Sequence, residues 1–395
     1  MKSSKLPLQS LLPIVGLTFA TFIFNTSEFI PIGLLTDIAA DFSMTEAQAG
    51  MLISVYAWVV MLLSLPLMIL TSKMEMRRLM LLLVGSFSLF QVMSFLSSGY
   101  WMLMASRIGV ALSHCVFWAI VSPLAAKIVA PEHRDKALGL IVTGSSIAMI
   151  LGMPIGRTIG LLIGWRMTFL CIGAFAFLTF LFLFAFLPKV PSDGAFPVRR
   201  LPELFGNRAL DGLFLITLLY AGSYYTAYSY IEPFMKQVAG MSDGAVTAAL
   251  MVFGAAGLFG SYLFSNYYAK NRRRFIIIIL SGLTLSLAMF YPLSFCQPLL
   301  VALCILWGIS GTAYNVLMQS EVINLTVRTP EATSVAMAIF SGIFNMGIGF
   351  GSYAGGLVCT HLSIRYIGFA GAAVTFTALL YWIFRLSSLF DRARQ

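Results

Sequence analysis

A lipid hydrocarbon core about 30 Å thick is crossed by a helix of ~20 mostly apolar residues. This chain supplies such runs one after another, near 11–35, 48–71, 79–97, 100–126, 136–162, 166–187, 209–234, 245–268, 275–294, 297–319, 332–358 and 362–385. Backbone N–H and C=O groups in lipid must pair within their own segment, so continuous runs of this length are helices. A membrane β-barrel would instead alternate apolar and polar residues over ~10-residue stretches. Only 10% of the residues are charged, against about 25% in soluble domains. The expectation is an all-α membrane protein with twelve transmembrane helices.

Charge placement carries the next inference. The net charge of +10 would suit a nucleic-acid partner if it formed a surface patch. Here Lys and Arg sit in short clusters between apolar runs, where orientation signals belong, so no nucleic-acid partner is expected. Placing the N-terminus in the cytoplasm puts all 25 of them on that side except Arg107, Arg157, Arg166, Lys236 and Arg365. The first outer loop instead carries Asp37, Asp41 and Glu46. Both termini are therefore expected inside.

The order of residues also repeats. Ala137/Ala336, Gly152/Gly351, Gly156/Gly355 and Arg166/Arg365 share an offset of 199, and the basic turn Arg77-Arg78 is echoed by Arg272-Arg273-Arg274. Glu28 and Glu232 each close the first run of their half, at a different offset of 204. The long polar break falls between Pro188 and Arg208. These features predict a six-helix half over 1–187, a cytoplasmic linker over 188–208 and a second six-helix half over 209–395. Parallel repeats of this kind place a solute path between them.

Ionisable groups within spans are costly, at least ~2.5–3.5 kcal/mol each, and so mark function by default. Four stand out in the predicted spans: Glu28, Arg107, His114 and Glu232. Glu28 lies roughly 13 Å inside at 1.5 Å per residue, and Arg107 reaches a similar depth from its own outer turn. His114 and Trp118 follow Arg107 on one helix face, and Asn25 shares the face of Glu28. Burial disfavours a charged carboxylate while a neighbouring guanidinium favours it, so a carboxylate that gains and loses such a partner loads and releases a proton. The structural alternative is a fixed Glu28–Arg107 pair locking two helices, with His114 a hydrogen-bonded core residue. In the second half Tyr220, Tyr224, Tyr228 and Glu232 recur every four residues. That pattern predicts one polar and aromatic stripe walling a wet cavity and suited to a sugar, although Glu232, beside Pro233 and Lys236, also reads as an interfacial residue. Asn345, in a glycine-rich run, is a further cavity-facing candidate. Gly152, Gly156, Gly160 and Gly164, with Pro154 among them, predict close helix approach and a bend. The five cysteines lack metal-ligand spacing and read as small apolar residues. No metal, cofactor or catalytic set is expected, and no enzyme activity.

Several segments resemble the major facilitator superfamily, and within it the drug–proton antiporter branch. Ser72-Lys73-Met74-Glu75-Met76-Arg77-Arg78 is a degenerate form of the family's loop between its second and third helices. Arg107-Ile108-Gly109 is similar to its helix-four motif. Gly152-Met153-Pro154-Ile155-Gly156 is similar to the helix-five motif of exporters, with Arg157 replacing the paired glycine. A closer resemblance is to bacterial sugar efflux transporters of the SotB type. It is carried by Phe22–Leu35, Tyr56–Val60, Arg107–Trp118, Gly164–Phe169, Thr226–Phe234 and Phe340–Asn345. It implies proton-driven export of small sugars, arabinose-like pentoses and thiogalactosides, by a monomer in the bacterial inner membrane. It also implies a central cavity lined by Glu28, Arg107 and His114. Two other readings stand beside it. A multidrug exporter of the same fold would use the many aromatic and methionine side chains. A membrane-embedded enzyme would need a nucleophile or acid–base set on larger loops than this sequence has.

Overall fold

The computed structural model describes residues 7–192, 208–326 and 330–387. Among these the chain is helical throughout, without a strand. The helices are α1 Leu8–Gly33, α2 Leu35–Asp41, α3 Glu46–Thr71, α4 Met76–Phe95, α5 Tyr100–Lys127, α6 Arg134–Ile147, α7 Met153–Ile163 and α8 Trp165–Phe186. After the break come α9 Arg208–Tyr228, α10 Ile231–Gln237, α11 Asp243–Tyr267, α12 Arg272–Ala288, α13 Gln297–Thr326, α14 Pro330–His361 and α15 Ile367–Tyr381. Nine helical stretches among the described residues are long and apolar enough to cross a membrane. Outward faces are apolar as well: Leu70, Trp101, Leu162 and Phe384 stand exposed. A water-soluble protein could not carry that surface, and the protein is a multi-pass membrane protein.

Most of the expected linker 188–208 lies outside the described residues, as do Lys2, Lys5, Arg199, Arg200, Arg328, Arg392 and Arg394 of the orientation argument. What is described of it folds back on the first helices: Met76 N–H donates to the Val190 carbonyl at 3.0 Å, and Ser192 bonds the Ser72 carbonyl.

The helices gather into two compact units whose division does not simply follow the chain. One unit combines the stretch that ends at Gly33 with the stretch that begins at Leu62. The other combines Leu34–Met61 with everything after the undescribed segment. The boundary at Gly33 is a physical break. Leu34 leaves helical geometry at φ −120°, ψ 14°, and Tyr230 does the same between α9 and α10 at φ −119°, ψ 17°. Thr36 and Glu232, each two residues beyond its break, stand 196 apart. Glu28 lies before its break and Glu232 after its own, so the two glutamates do not close their runs alike.

The first unit packs α1 against α6, the π-helical turn Ala148–Gly152, α7 and α8, while α4 lies between α5 and α8. The π turn comes just before Pro154, whose missing N–H frees a carbonyl and lets the ladder widen. Of the small-residue ridge, Gly152 receives Thr26 and Gly156 receives Ile30, both from α1. Gly164 acts on the backbone instead. At φ +95° it ends α7, a conformation open to glycine at little cost.

In the second unit α9 pairs with α14 and α11 with α13 through glycines. A Cβ on Gly351 would strike the Gly222 carbonyl oxygen, whereas one on Gly342 of the same helix would meet nothing. Alanine is favoured over glycine in a helix by ~1 kcal/mol, while overpacking costs ~1–3 kcal/mol. Thermal unfolding in detergent is therefore expected to show opposite signs: Gly342→Ala stabilises and Gly351→Ala destabilises the protein.

Candidate functional site

Lipid gives a buried polar group no partner, so such groups must find one another. In the first unit they do so around the last two turns of α1. Asn25, Ser27 and Glu28 project from α1, Gln91 from α4, Arg107, His114 and Trp118 from α5, and Ser145 from α6. Ser27, fully buried, accepts from two sides: Arg107 Nη1 at 3.2 Å and the Gln91 amide. Asn25 Nδ2 donates to Ser145 Oγ at 2.6 Å and to its carbonyl at 3.2 Å. Those bonds tie α1 to α6 and use the amide structurally.

Glu28 Oε2 stands 3.8 Å from His114 Nε2. From one turn further along α5, Trp118 Nε1–H donates to the same Nε2 at 2.8 Å. Arg107 is buried and lies within electrostatic reach of both Glu28 and His114. Glu28, Arg107, His114 and Trp118 are thus brought into one cluster. Within it Glu28 approaches His114 and lies within electrostatic reach of Arg107, which is also anchored on Ser27.

Behind these groups sits a dry aromatic wall. Phe24 stacks on Phe87 at 4.1 Å and on Phe117 at 4.0 Å between ring centroids. Such a wall lowers the local dielectric and strengthens every charge interaction beside it.

In the second unit Tyr220, Tyr224 and Tyr228 follow one another along α9. Phe253 from α11 and Trp307 from α13 close the cluster: Tyr228 stacks on Phe253 at 5.1 Å, and Trp307 meets Tyr224 edge-on at 5.5 Å. Tyr224 is half-buried, and Trp307 is fully buried. Asn345, on neighbouring α14, donates Nδ2 to the Ser341 carbonyl at 3.0 Å. Its amide oxygen is buried without a protein partner among the described residues.

The predicted stripe does not continue to Glu232. Pro233 cannot donate to the Ser229 carbonyl four residues earlier and its ring crowds that carbonyl, so α9 ends at Tyr228 and α10 restarts at Ile231 with the proline in its first turn. Glu232 is completely buried and accepts from Thr36 N–H at 3.2 Å and from the Thr36 hydroxyl at 2.7 Å. Lys236 stands between Glu232, at 3.9 Å, and Asp243, at 3.0 Å.

With this geometry in place, the comparisons with known proteins decide the family. The sequence profile of the Major Facilitator Superfamily matches residues 17–334. The chain belongs to the Major Facilitator Superfamily. Solved structures share the fold: a bacterial homolog of the human lysosomal transporter Spinster, in an inward-facing and unoccupied conformation, superposes with a TM-score of 0.81 at 18% identity over 99% of both chains. A nucleoside transporter follows at 0.75 and 14%, over 95% of this chain and 99% of its own. A human organic anion transporter follows at 0.66 and 15%, over 95% and 100%. Family and fold make this protein a transporter rather than an enzyme.

Four features of this superfamily member escaped the sequence reading. Ser27 and Gln91 organise Arg107, and the hydroxyl directly before Glu28 was the available signal. Arg157, fully buried, donates Nη1 to the Gly33 carbonyl at 2.5 Å. It thereby places a cation at the C-terminal end of α1, where the helix dipole favours one. Glu321 is buried and pairs with Arg272. It was missed because the tenth run was ended at residue 319, whereas α13 continues to Thr326. Phe253 and Trp307 carry no periodic signal that separates them from lipid-facing aromatics.

Removing the Ser27 hydroxyl strands two buried donors at ~1–3 kcal/mol. Ser27→Ala is expected to lower stability in detergent by about that amount, while Ser265→Ala, whose hydroxyl is exposed on α11, changes it by less than about 0.5 kcal/mol. Thermal unfolding of the two variants checks this.

Proposed function

We propose that this chain is a proton-coupled exporter of small sugars, arabinose-like pentoses and thiogalactosides, of the drug–proton antiporter branch and close to the SotB type. In this reading it works as a monomer in the bacterial inner membrane, with twelve transmembrane helices in two six-helix halves and both termini cytoplasmic. The observation that carries the proposal is the Glu28–His114–Trp118 series, with His114 buried at its centre and buried Arg107 beside it. It unites a carboxylate, an imidazole and a guanidinium within one helix bundle, which is costly unless one of them changes its proton.

The cycle proposed is alternating access. Solute loaded from the cytoplasm is released outside as Glu28 takes a proton, and the return delivers that proton inward. One charge falling through 100 mV supplies ~2.3 kcal/mol, enough for about a fifty-fold solute gradient. Tyr224, Tyr228, Asn345 and Trp118 are assigned to the solute. Their rings offer flat apolar faces, and the unpaired Asn345 oxygen accepts a hydroxyl proton. Glu232 is assigned to holding Thr36, since its carboxylate is taken up there.

One observation favours a second reading. The Tyr224–Tyr228–Phe253–Trp307 cluster is apolar enough to take flat lipophilic compounds, which would suit a multidrug exporter.

Uptake of labelled arabinose into energised inverted membrane vesicles separates the two. The expected result is accumulation that an uncoupler collapses and that Glu28→Gln abolishes. Accumulation of a lipophilic dye without any of arabinose would replace the sugar reading by the multidrug one. Proton-coupled uptake that survives in Glu28→Gln would remove Glu28 from the coupling role.

A further inference from the structure

The imidazole of His114 has one Nε2, and two groups compete for it. Trp118 approaches from one helical turn further along α5, with its indole N–H 2.8 Å away. Glu28 approaches from α1, with Oε2 at 3.8 Å. An indole N–H only donates. A 2.8 Å contact of this kind therefore requires Nε2 to be a bare acceptor, with the ring proton of His114 on Nδ1. When the proton taken up by Glu28 passes to Nε2, leaving a carboxylate and an imidazolium, two N–H donors face each other and the contact must open. The acceptor then available to that new proton is the Glu28 carboxylate. The Trp118–His114 bond and a His114–Glu28 bond are mutually exclusive, because they use the same ring position.

We propose that Trp118 carries the proton state of His114 to the solute: its ring is held in place while Nε2 is bare and released when Nε2 is protonated. This rests on the reading of the Glu28–His114–Trp118 cluster as the coupling site and adds the element that joins proton to solute. Burial and chemistry together decide which member does the joining. Arg107 and His114 are buried, whereas Glu28 and Trp118 are partly exposed, and of those two only Trp118 presents a flat ring on which a solute can rest. Beyond the hydrogen bond its ring rests edge-on against Phe117 at 5.4 Å, a contact that tolerates sliding. With the bond in place the indole is a fixed platform for a sugar ring, and binding loses no rotamer freedom there. With the bond broken the platform is loose and the solute is held less well. The sign is that of antiport: proton in, solute out.

The charged groups acting on His114 are Glu28 from α1 and Arg107 from its own helix. From α4 and α6 the polar members of the cluster are the uncharged Gln91 and Ser145. By linkage, whatever factor protonation removes from solute affinity, bound solute removes from proton affinity. The expected factor is between about 5 and 150, the usual range for two coupled sites.

The test begins without any solute, so that it does not depend on the sugar assignment. Tryptophan emission of the purified protein is followed as the pH is lowered, in the unaltered chain, in His114→Asn and in Trp118→Phe. The expected result is a red shift in the unaltered chain, lost in both variants. A shift that persists in either variant overturns the proposal, as does an unaltered chain whose emission stays constant over the pH range in which transport switches. Labelled arabinose binding then reads the coupling: affinity is expected to fall on acidification in the unaltered chain and to be independent of pH in Trp118→Phe. A Trp118→Phe protein that keeps the full pH dependence of binding overturns the proposal. If no arabinose binds to any of the proteins, the sugar reading fails while the emission result still decides the role of Trp118.

Discussion

Lipid offers no hydrogen bonds, and nearly every feature of this protein follows from that. The backbone closes on itself as helix, and side-chain hydroxyls do likewise: Thr18, Thr21, Thr158, Thr226 and Thr284 each return their proton to the carbonyl four residues earlier. Polar groups too large or too charged for that solution must be brought together from different helices. The cluster around Ser27 is such a gathering, and so is the Arg272–Glu321 pair. The first stands where Gly152 lets α1 approach closely, against Thr26. Polar satisfaction and close packing are therefore two sides of one requirement.

Two helices, α1 and α9, break before a short helix, and each break is set differently. At Leu34 the end of α1 is capped by the Arg157 guanidinium, and at Tyr230 the restart is set by Pro233 in the first turn of α10. Two residues further on, Thr36 and Glu232 bond to each other. Before the breaks stand Glu28 and Tyr224, one in a cluster of ionisable groups and the other in a cluster of rings.

Legibility in the sequence differed sharply between backbone and side chains. Helix positions were readable because a span must be long and apolar, and the runs mark this directly. Glu28, Arg107 and His114 were readable because a charge in a span is rare. Their partners were not: Ser27, Gln91 and Ser145 are ordinary polar residues whose roles appear only when three other helices arrive beside α1. Glu232 shows the opposite case. Spacing by four joined it to the tyrosines, but the register holds only while the helix is continuous, and Pro233 ends it.

The sequence by itself determined that this chain lies in a membrane, that it is helical, and which few charges its interior must accommodate. Each of these follows from composition or spacing along one strand of chain, where the bilayer acts on every residue alike. Tertiary structure alone decided that His114 Nε2 lies between an indole and a carboxylate, that Arg157 caps α1, and that Glu232 belongs to Thr36. Except for the indole, which lies one turn along the same helix, those are contacts between helices far apart in sequence, selected by which buried group still lacked a partner once the backbone had used its own.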